Sequence, residues 1–402
     1  MVSIAVGSLY LGVSYWRAGV EFENRLDEIR KAGHPVVLAD LTQPNLDAQQ
    51  DAGHYLRLAS KDLAAIEREL QSLADKYDES GSLSEAEWQQ FEKTFQAYPE
   101  ALPLLKRSVA CAEYRSTIDF SHTTAECLQS LLDNSSLLRI AGRVLHRKIL
   151  LLIARSQFDE AVEHCLMLHR LAVHSQREPF LTGYLVSSAL RGLALSSLGQ
   201  VLQAGPISND VRKRIETQLA ADDPLRAYQN ALIAERPYGL ACLKEMSPYL
   251  GTPAQVGYLR DMQNAIDSAT LGYAESNKVL QDAADGSSNL FGHALMPAIQ
   301  AAHESAVRVL ALARSVRVLN AIQGSPAMAQ STSLDIKQIP VANEVKNDPF
   351  GKTPLVVMKS PKGWIVYSVG RDGKDNSGAV FNQQDIGTAP ASLRVADESN
   401  QR

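Results

Sequence analysis

Apolar residues recur at alternating steps of three and four through Leu56, Ala59, Leu63, Ile66, Leu70, Leu73 and Tyr77. That is the spacing of one helix face, and it predicts a long amphipathic helix within residues 45–77. Asp78-Glu79-Ser80-Gly81 breaks the pattern. Ser84 and Glu87 then have the spacing of a capping box, ahead of a second stripe of Trp88, Phe91, Phe95 and Tyr98. The two helices are expected to form an antiparallel hairpin, its aromatic stripe packed into the core rather than lining a ligand groove. Asn134-Ser135-Ser136 reads as the cap of a helix running to Ala154, Ser156-Gln157 as a turn, and residues 158–174 as a partner helix with Phe158, Ala161, Val162, Cys165 and Leu168 on its apolar face. Residues 178–204 are apolar nearly all round and rich in small side chains, as suits the centre of a bundle. Ala204-Gly205-Pro206 stops that helix; others are expected near Ser208, from Asp223-Pro224, and over residues 253–285 and 289–322, the last with a stripe of Val309, Leu312, Val316 and Leu319. The fold class is mainly α: an irregular helical bundle or an array of α-hairpins.

The texture changes after Gly324. Leu355-Val356-Val357-Met358 and Trp364-Ile365-Val366-Tyr367-Ser368-Val369 read as strands around a Ser360-Pro361-Lys362-Gly363 turn. Asp348-Pro349-Phe350-Gly351 is a second turn, with Asp at its first position, Pro at its second and Gly at its fourth. A lone hairpin is marginal in water, so it is expected to pack on the helix stripe within residues 304–322, making a small C-terminal α+β module.

Composition narrows the function. The 402 residues are 45% hydrophobic and 21% charged with a formal charge of −5, a balance that suits a folded protein and supplies no basic footprint for nucleic acid. Cys111, Cys127, Cys165 and Cys242 have no paired C-x-x-C spacing, and their redox state is left open. His164, His169 and His174 follow at steps of five, which turns each about 140° from the last and prevents a shared metal. Phosphate-loop, dinucleotide, nucleophile-elbow and H-E-x-x-H patterns are all missing. An enzymatic alternative therefore rests on spatial convergence in a cleft, with His146, His164 and Glu235 as its candidate residues. Arg139, Arg143 and Arg147 form a row with Lys148 beside it; a solvated face paired to Asp159, Glu160 and Glu163 of the next helix is expected there, rather than an anion or lipid site.

Residues 1–16 carry no charged side chain and end in Tyr15 and Trp16 before Arg17. An uncharged run closed by aromatics and a cation has the pattern of a membrane anchor. It is shorter than the roughly 20 residues of a spanning helix, so residues 1–20 are read as an anchor shortened at its start, against a buried N-terminal helix. Arg25, Arg30 and Lys31 follow, and the positive-inside rule alone would put the body in the cytoplasm.

Two resemblances add to this. Ala154-Arg155-Ser156-Gln157-Phe158-Asp159-Glu160-Ala161 resembles the helix junction of a tetratricopeptide repeat, within a hairpin near residues 136–174; no second copy follows at a 34-residue period. Asp348-Pro349-Phe350-Gly351-Lys352, then Tyr367-Ser368-Val369-Gly370-Arg371-Asp372-Gly373-Lys374-Asp375, then Asp385-Ile386, resembles the C-terminal half of the type II secretion major pseudopilins over about residues 304–388. No prepilin leader precedes this helix, so pilus assembly is not implied. The resemblance implies a structural calcium ion held by Asp372, Asp375, Asp385 and the Ser368 carbonyl, with Gln383 and Gln384 where further acids would be expected. The expected organisation is thus an anchor (1–20), a helical domain (21–300), a pseudopilin-like module (301–390) and a disordered tail (391–402). The chain as a whole resembles uncharacterised bacterial membrane-anchored helical proteins. The expected function is that of a membrane-anchored binding or scaffolding protein with a periplasmic or otherwise extracytoplasmic body, its partner a protein of unknown identity, linked to secretion or envelope organisation.

Overall fold

The computed structural model describes the backbone of residues 2–246, 251–286, 290–382 and 384–393, with side chains described in those ranges except at 2–14, 246, 286, 290–294 and 392. Helices α1 (Val2–Lys31), α2 (Ala52–Ser80), α3 (Glu85–Ala97), α4 (Ala101–Ala110), α5 (Thr124–Ala154), α6 (Phe158–Ser175), α7 (Phe180–Ala204), α8 (Asn209–Ala220), α9 (Pro224–Met246), α10 (Gly251–Ser268), α11 (Tyr273–Gly286) and α12 (Leu290–Gly324) follow in order. A small sheet of β1 (Val356–Ser360), β2 (Gly363–Ser368) and β3 (Ile386–Thr388) comes after them. The mainly α class with a small C-terminal sheet is as the patterning predicts.

Local chemistry sets the helix ends. The Asp51 carboxylate accepts the Gly53 amide at the start of α2, and Gly81, at φ 69°, closes that helix in the left-handed region that an L side chain disfavours. Ser84 and Glu87 form the expected capping box of α3. Edge-on contact of Tyr77 with Trp88 and the bond from the Tyr98 hydroxyl to Glu69 (2.6 Å) make α2 and α3 antiparallel. Trp88, Phe91 and Phe95 are buried, so the aromatic stripe is core. The intervening α4, not anticipated from the pattern, adds Leu105 and Val109 to the same core.

Three boundaries depart from the sequence expectation. The cap of α5 is Thr123, boxed with Glu126, and the helix runs straight through Asn134-Ser135-Ser136. Asn134 tolerates the helix because its amide finds partners outside it, the Thr117 hydroxyl donating to Asn134 (2.9 Å) and the Asn134 amide to Ser116 (3.4 Å). Ser135 is buried on the core side of the helix with its hydroxyl unpartnered among the described residues. The single helix expected over residues 253–285 is two, α10 and α11, parted at Ser268–Gly272, where the Leu271 amide turns back on the Ser268 carbonyl. The hairpin gains a third strand. Its register pairs Val366 with Thr388 and Ser368 with Ile386, and Gly387 sits so close to β2 that a Cβ there would lie 2.1 Å from the Val366 carbonyl oxygen.

Two large buried clusters dominate the described residues, beside two small ones around Phe120 and Phe180 and around Ile365 and Tyr367. The larger takes α2 to α8, the second half of α12 and Trp364, Val366 and Ile386 of the sheet, so the module packs on the Val309–Leu312–Val316–Leu319 stripe as expected. The smaller gathers Phe22, Leu26 and Ile29 of α1 with α9, α10, α11 and the first half of α12. Helices α7 and α12 contribute to both. Among the described residues α7 is the one helix long and apolar enough to cross a membrane, and its burial within the bundle gives it the role of a core helix.

Candidate functional site

The C-terminal module is closed by two buried carboxylates, Asp348 and Asp385, neither in a salt bridge among the described residues, although the Arg314 charge acts on Asp348. Asp348, in the Asp-Pro-Phe-Gly turn, accepts from the Phe350 amide (2.9 Å), the Ser368 hydroxyl (2.7 Å) and the Val369 amide (3.0 Å), tying the turn to the exit of β2. Asp385 accepts from the amides of Gly378 (2.9 Å), Ala379 (3.0 Å) and Asn376 (3.4 Å), which folds residues 376–379 over it. Asp375 accepts from the Tyr367 hydroxyl and the Ser377 amide, both at 2.8 Å. Burial and that bond to Asp375 push the Tyr367 hydroxyl above its ordinary range. The structure therefore sets Asp375 and Asp385 around one loop beside Tyr367. Asp372 is exposed and accepts its own turn's Lys374 amide (3.1 Å), while the Ser368 hydroxyl serves Asp348 and the Gly370 amide. Among the described residues no three His, Cys, Asp or Glu side chains converge on a metal position; Gln383 lies outside the described residues.

A trough of about 480 Å³ runs between α7, α12 and the end of the module. Its floor is the one face of α7 that the bundle leaves open: Leu185, Ala189, Gly192, Ser196 and Gln200. No charged residue stands on that face; the sole charge in α7 is Arg191, which is 1% exposed on the opposite side. The α12 wall carries Ser305, Arg308, Val309 and Leu312, with Ser305 and Ser188 hydroxyls 2.6 Å apart. Phe381, Ile386 and Thr388 close the third side. The pattern of residues 178–204 pointed to a fully buried helix, and the open face was legible only as a run of small residues.

Elsewhere the polar groups are structural. Asp222 accepts both Arg191 Nε and Nη2 at 2.8 Å and His169 Nε2 at 3.1 Å. Burial alone would raise its pKa, but Arg191 and His169 outweigh that and hold the carboxyl well below the usual range. Gln218 fixes the histidine tautomer: its oxygen accepts from Arg170 (3.0 Å) and its amide nitrogen, bonded to the Leu166 carbonyl (2.9 Å), lies 3.2 Å from His169 Nδ1. Nδ1 is then the acceptor and Nε2 carries the hydrogen.

Arg143 and Arg147 of the arginine row are paired, but not where expected. Arg143 and Arg147 both reach Glu67 of α2 (2.5 Å each), and Arg147 is buried, donating also to the Glu67 carbonyl and to Gln71. The α6 acids turn to α8 instead: Glu163 pairs with Arg214 (2.8 Å) and Asp159 accepts the Ser208 amide. Helix α5 is flanked by α2 on its charged side, a neighbour 76 to 80 residues away that periodicity cannot identify.

The residues of the enzymatic alternative are not brought together. His146 contacts Ser197 (2.9 Å), while Glu235 accepts the Leu181 amide (2.7 Å); those α7 partners are 16 residues and hence about 24 Å apart along the helix. His164 bonds the Glu160 carbonyl of its own helix. Burial pushes His146 down to about 4 and raises Glu235. All four cysteines are free thiols. Comparison with protein-family models, curated proteins and solved structures finds no match for this chain.

Proposed function

We propose that this protein is a membrane-tethered binding or scaffolding protein, its helical body held at a membrane surface by the start of α1. The observation that supports the reading is the contrast within that one helix. From Phe22 onward α1 is bolted to the body, by burial of Phe22, Leu26 and Ile29 and by Glu21 pairing with both Arg25 and Arg260 of α10. Just before, Trp16 stands out at 70% exposure and Tyr15, half-exposed, lies against Gly251 of α10, at the end of the uncharged run whose earlier side chains lie outside the described residues. A large aromatic exposed beside Arg17 suits the membrane interface better than water.

The extracytoplasmic placement rests on the pseudopilin-like motifs, as does calcium at the Asp375 and Asp385 end of the loop, with Asp372 and the Ser368 carbonyl as further donors. In this reading the module is a docking element and the partner is a protein. Membrane fractionation tests the tether: the full chain is expected in the membrane pellet and Trp16→Glu combined with Tyr15→Glu in the soluble fraction with an unchanged melting temperature. A full chain that stays soluble, or a double variant that loses core stability, would make α1 an ordinary core helix. Protease treatment of intact and opened cells tests the side, with protection only in intact cells lacking outer-membrane permeability expected.

A further inference from the structure

We propose that the trough between α7, α12 and β3 binds a single-chain amphipathic anion, a lipid with a carboxylate or phosphate head, and that Arg308 holds the head. The inference does not depend on the N-terminal tether.

Three independent observations meet here. First, Arg308 is half-buried in the trough wall and has no hydrogen-bond or ion-pair partner among the described residues. Its natural helical partner one turn earlier, Glu304, is taken by Arg371 of the module (3.0 Å). The other carboxylate at the trough, Asp385, is occupied by the amides of residues 376, 378 and 379. The trough lining thus presents one cation without a direct partner, Arg308, and one carboxylate, Asp385, whose oxygens are capped by amides and turned to its own loop. Second, the α7 floor is uncharged along its whole open length, and Leu185 at its mouth is 42% exposed. A solvent-facing helix ordinarily carries charge on that face. With Val309, Leu312 and Phe381 opposite, the surface suits an alkyl chain. Third, the space is real at its centre: a Cβ at Gly192 would meet nothing within 4 Å. A volume of about 480 Å³ falls in the range of roughly 300–1,000 Å³ usual for small-ligand sites. The Thr388 hydroxyl, buried without a partner against Gly199, and the Ser196 and Gln200 side chains supply polar contacts along the floor.

The test is calorimetric titration of the full chain with laurate, dodecyl phosphate and the neutral control dodecanol. Arg308→Gln removes the charge, and Gly192→Leu fills the floor in open space at a position where glycine is the poorer helix former. Saturable binding of at least one anion is expected, weakened about tenfold or more by each variant, with dodecanol binding weakly or not at all. Preference between laurate and dodecyl phosphate distinguishes a free fatty acid from a phosphate-headed lipid. Absence of saturable anion binding, equal binding of dodecanol, or retention of anion affinity in either variant would overturn the site. Unchanged circular dichroism and melting of both variants separates loss of the site from loss of the fold.

Discussion

Asp222 of the helical body and Asp348 and Asp385 of the C-terminal module are buried carboxylates held in different ways. In the body, Asp222 is neutralised by Arg191 and accepts a further hydrogen bond from His169, side chains 31 and 53 residues away. In the module, Asp348 and Asp385 are in no salt bridge among the described residues and are held by backbone amides and one serine hydroxyl, with Arg314 acting on Asp348 only through its charge. The difference follows from what each architecture has to offer. Helix interiors have spent their amides on the i−4 carbonyls, so Asp222 stays ionised by taking a side-chain cation. Glu178, held by the Tyr114 and Ser116 hydroxyls, and Glu235, held by the Leu181 amide, are instead raised by burial toward the neutral form. Loops and strand exits have amides to spare, and a carboxylate that collects them fixes a turn's shape. Asp222 therefore depends on a charge pair with a distant helix, and Asp348 and Asp385 on short motifs.

The largest effect should come from breaking the body's arrangement. Asp222→Ala leaves Arg191 buried with only Ser187 and Gln176 as partners and is expected to cost about 3–5 kcal/mol in urea denaturation. Replacing both, as Asp222→Leu with Arg191→Met, should cost clearly less; an equal cost would mean that the site is held by packing. Phe91→Ala, which removes a fully buried ring without touching charge, is expected to cost a comparable 3–5 kcal/mol by the same measurement. A change within about 0.5 kcal/mol would return the aromatic stripe to the surface.

In the module, Asp385→Asn keeps the shape but turns one acceptor into a donor facing amides. The expected loss is about 1–3 kcal/mol, read as early exchange of the Gly378 and Ala379 amides. If exchange there is unchanged, the amide cradle does not close the loop.

Acid should separate the regions further. His146 and His303 are pushed down to about 4 by burial, and both belong to the body. Below the ordinary histidine value near 6.5 the unfolded chain takes up protons that the folded chain refuses until about pH 4, so stability falls as pH drops across that window and is complete above it. Each histidine contributes a slope of at most about 1.4 kcal/mol per pH unit, and His146→Gln with His303→Gln should flatten the profile of unfolding free energy between pH 6.5 and 4. Glu178 and Glu235, raised by burial, act in the opposite sense, since their protonation in the folded state is the easier one. The smallest effect is calcium. If the ion occupies the loop, the full chain should melt higher in calcium than in chelator, by about 1.4 kcal/mol at ten times Kd, and Asp375→Ala with Asp385→Ala should abolish the shift. Equal melting would leave the amide cradle as the loop's only closure.

Much of this protein could be read from its sequence because the responsible forces are local. Helix periodicity, the Ser84–Glu87 box, the Gly81 stop and the Ser156-Gln157 turn each act within a few residues, and the structure has each where the pattern puts it. So does the Asp348 turn, whose carboxylate bonds its own next-but-one amide. What the sequence could not decide was which faces meet. Asn134-Ser135-Ser136 looks like a cap until Thr117 and Ser116 engage it; the arginine row looks suited to α6 until α2 supplies Glu67; residues 178–204 look wholly buried until the bundle leaves one side of α7 open. β3 has three residues and no alternation to announce it, and it exists because β2 offers an edge that Gly387 can approach. Propensity and capping depend on neighbours along the chain, whereas partner choice depends on where whole helices pack, and only the tertiary structure decides that.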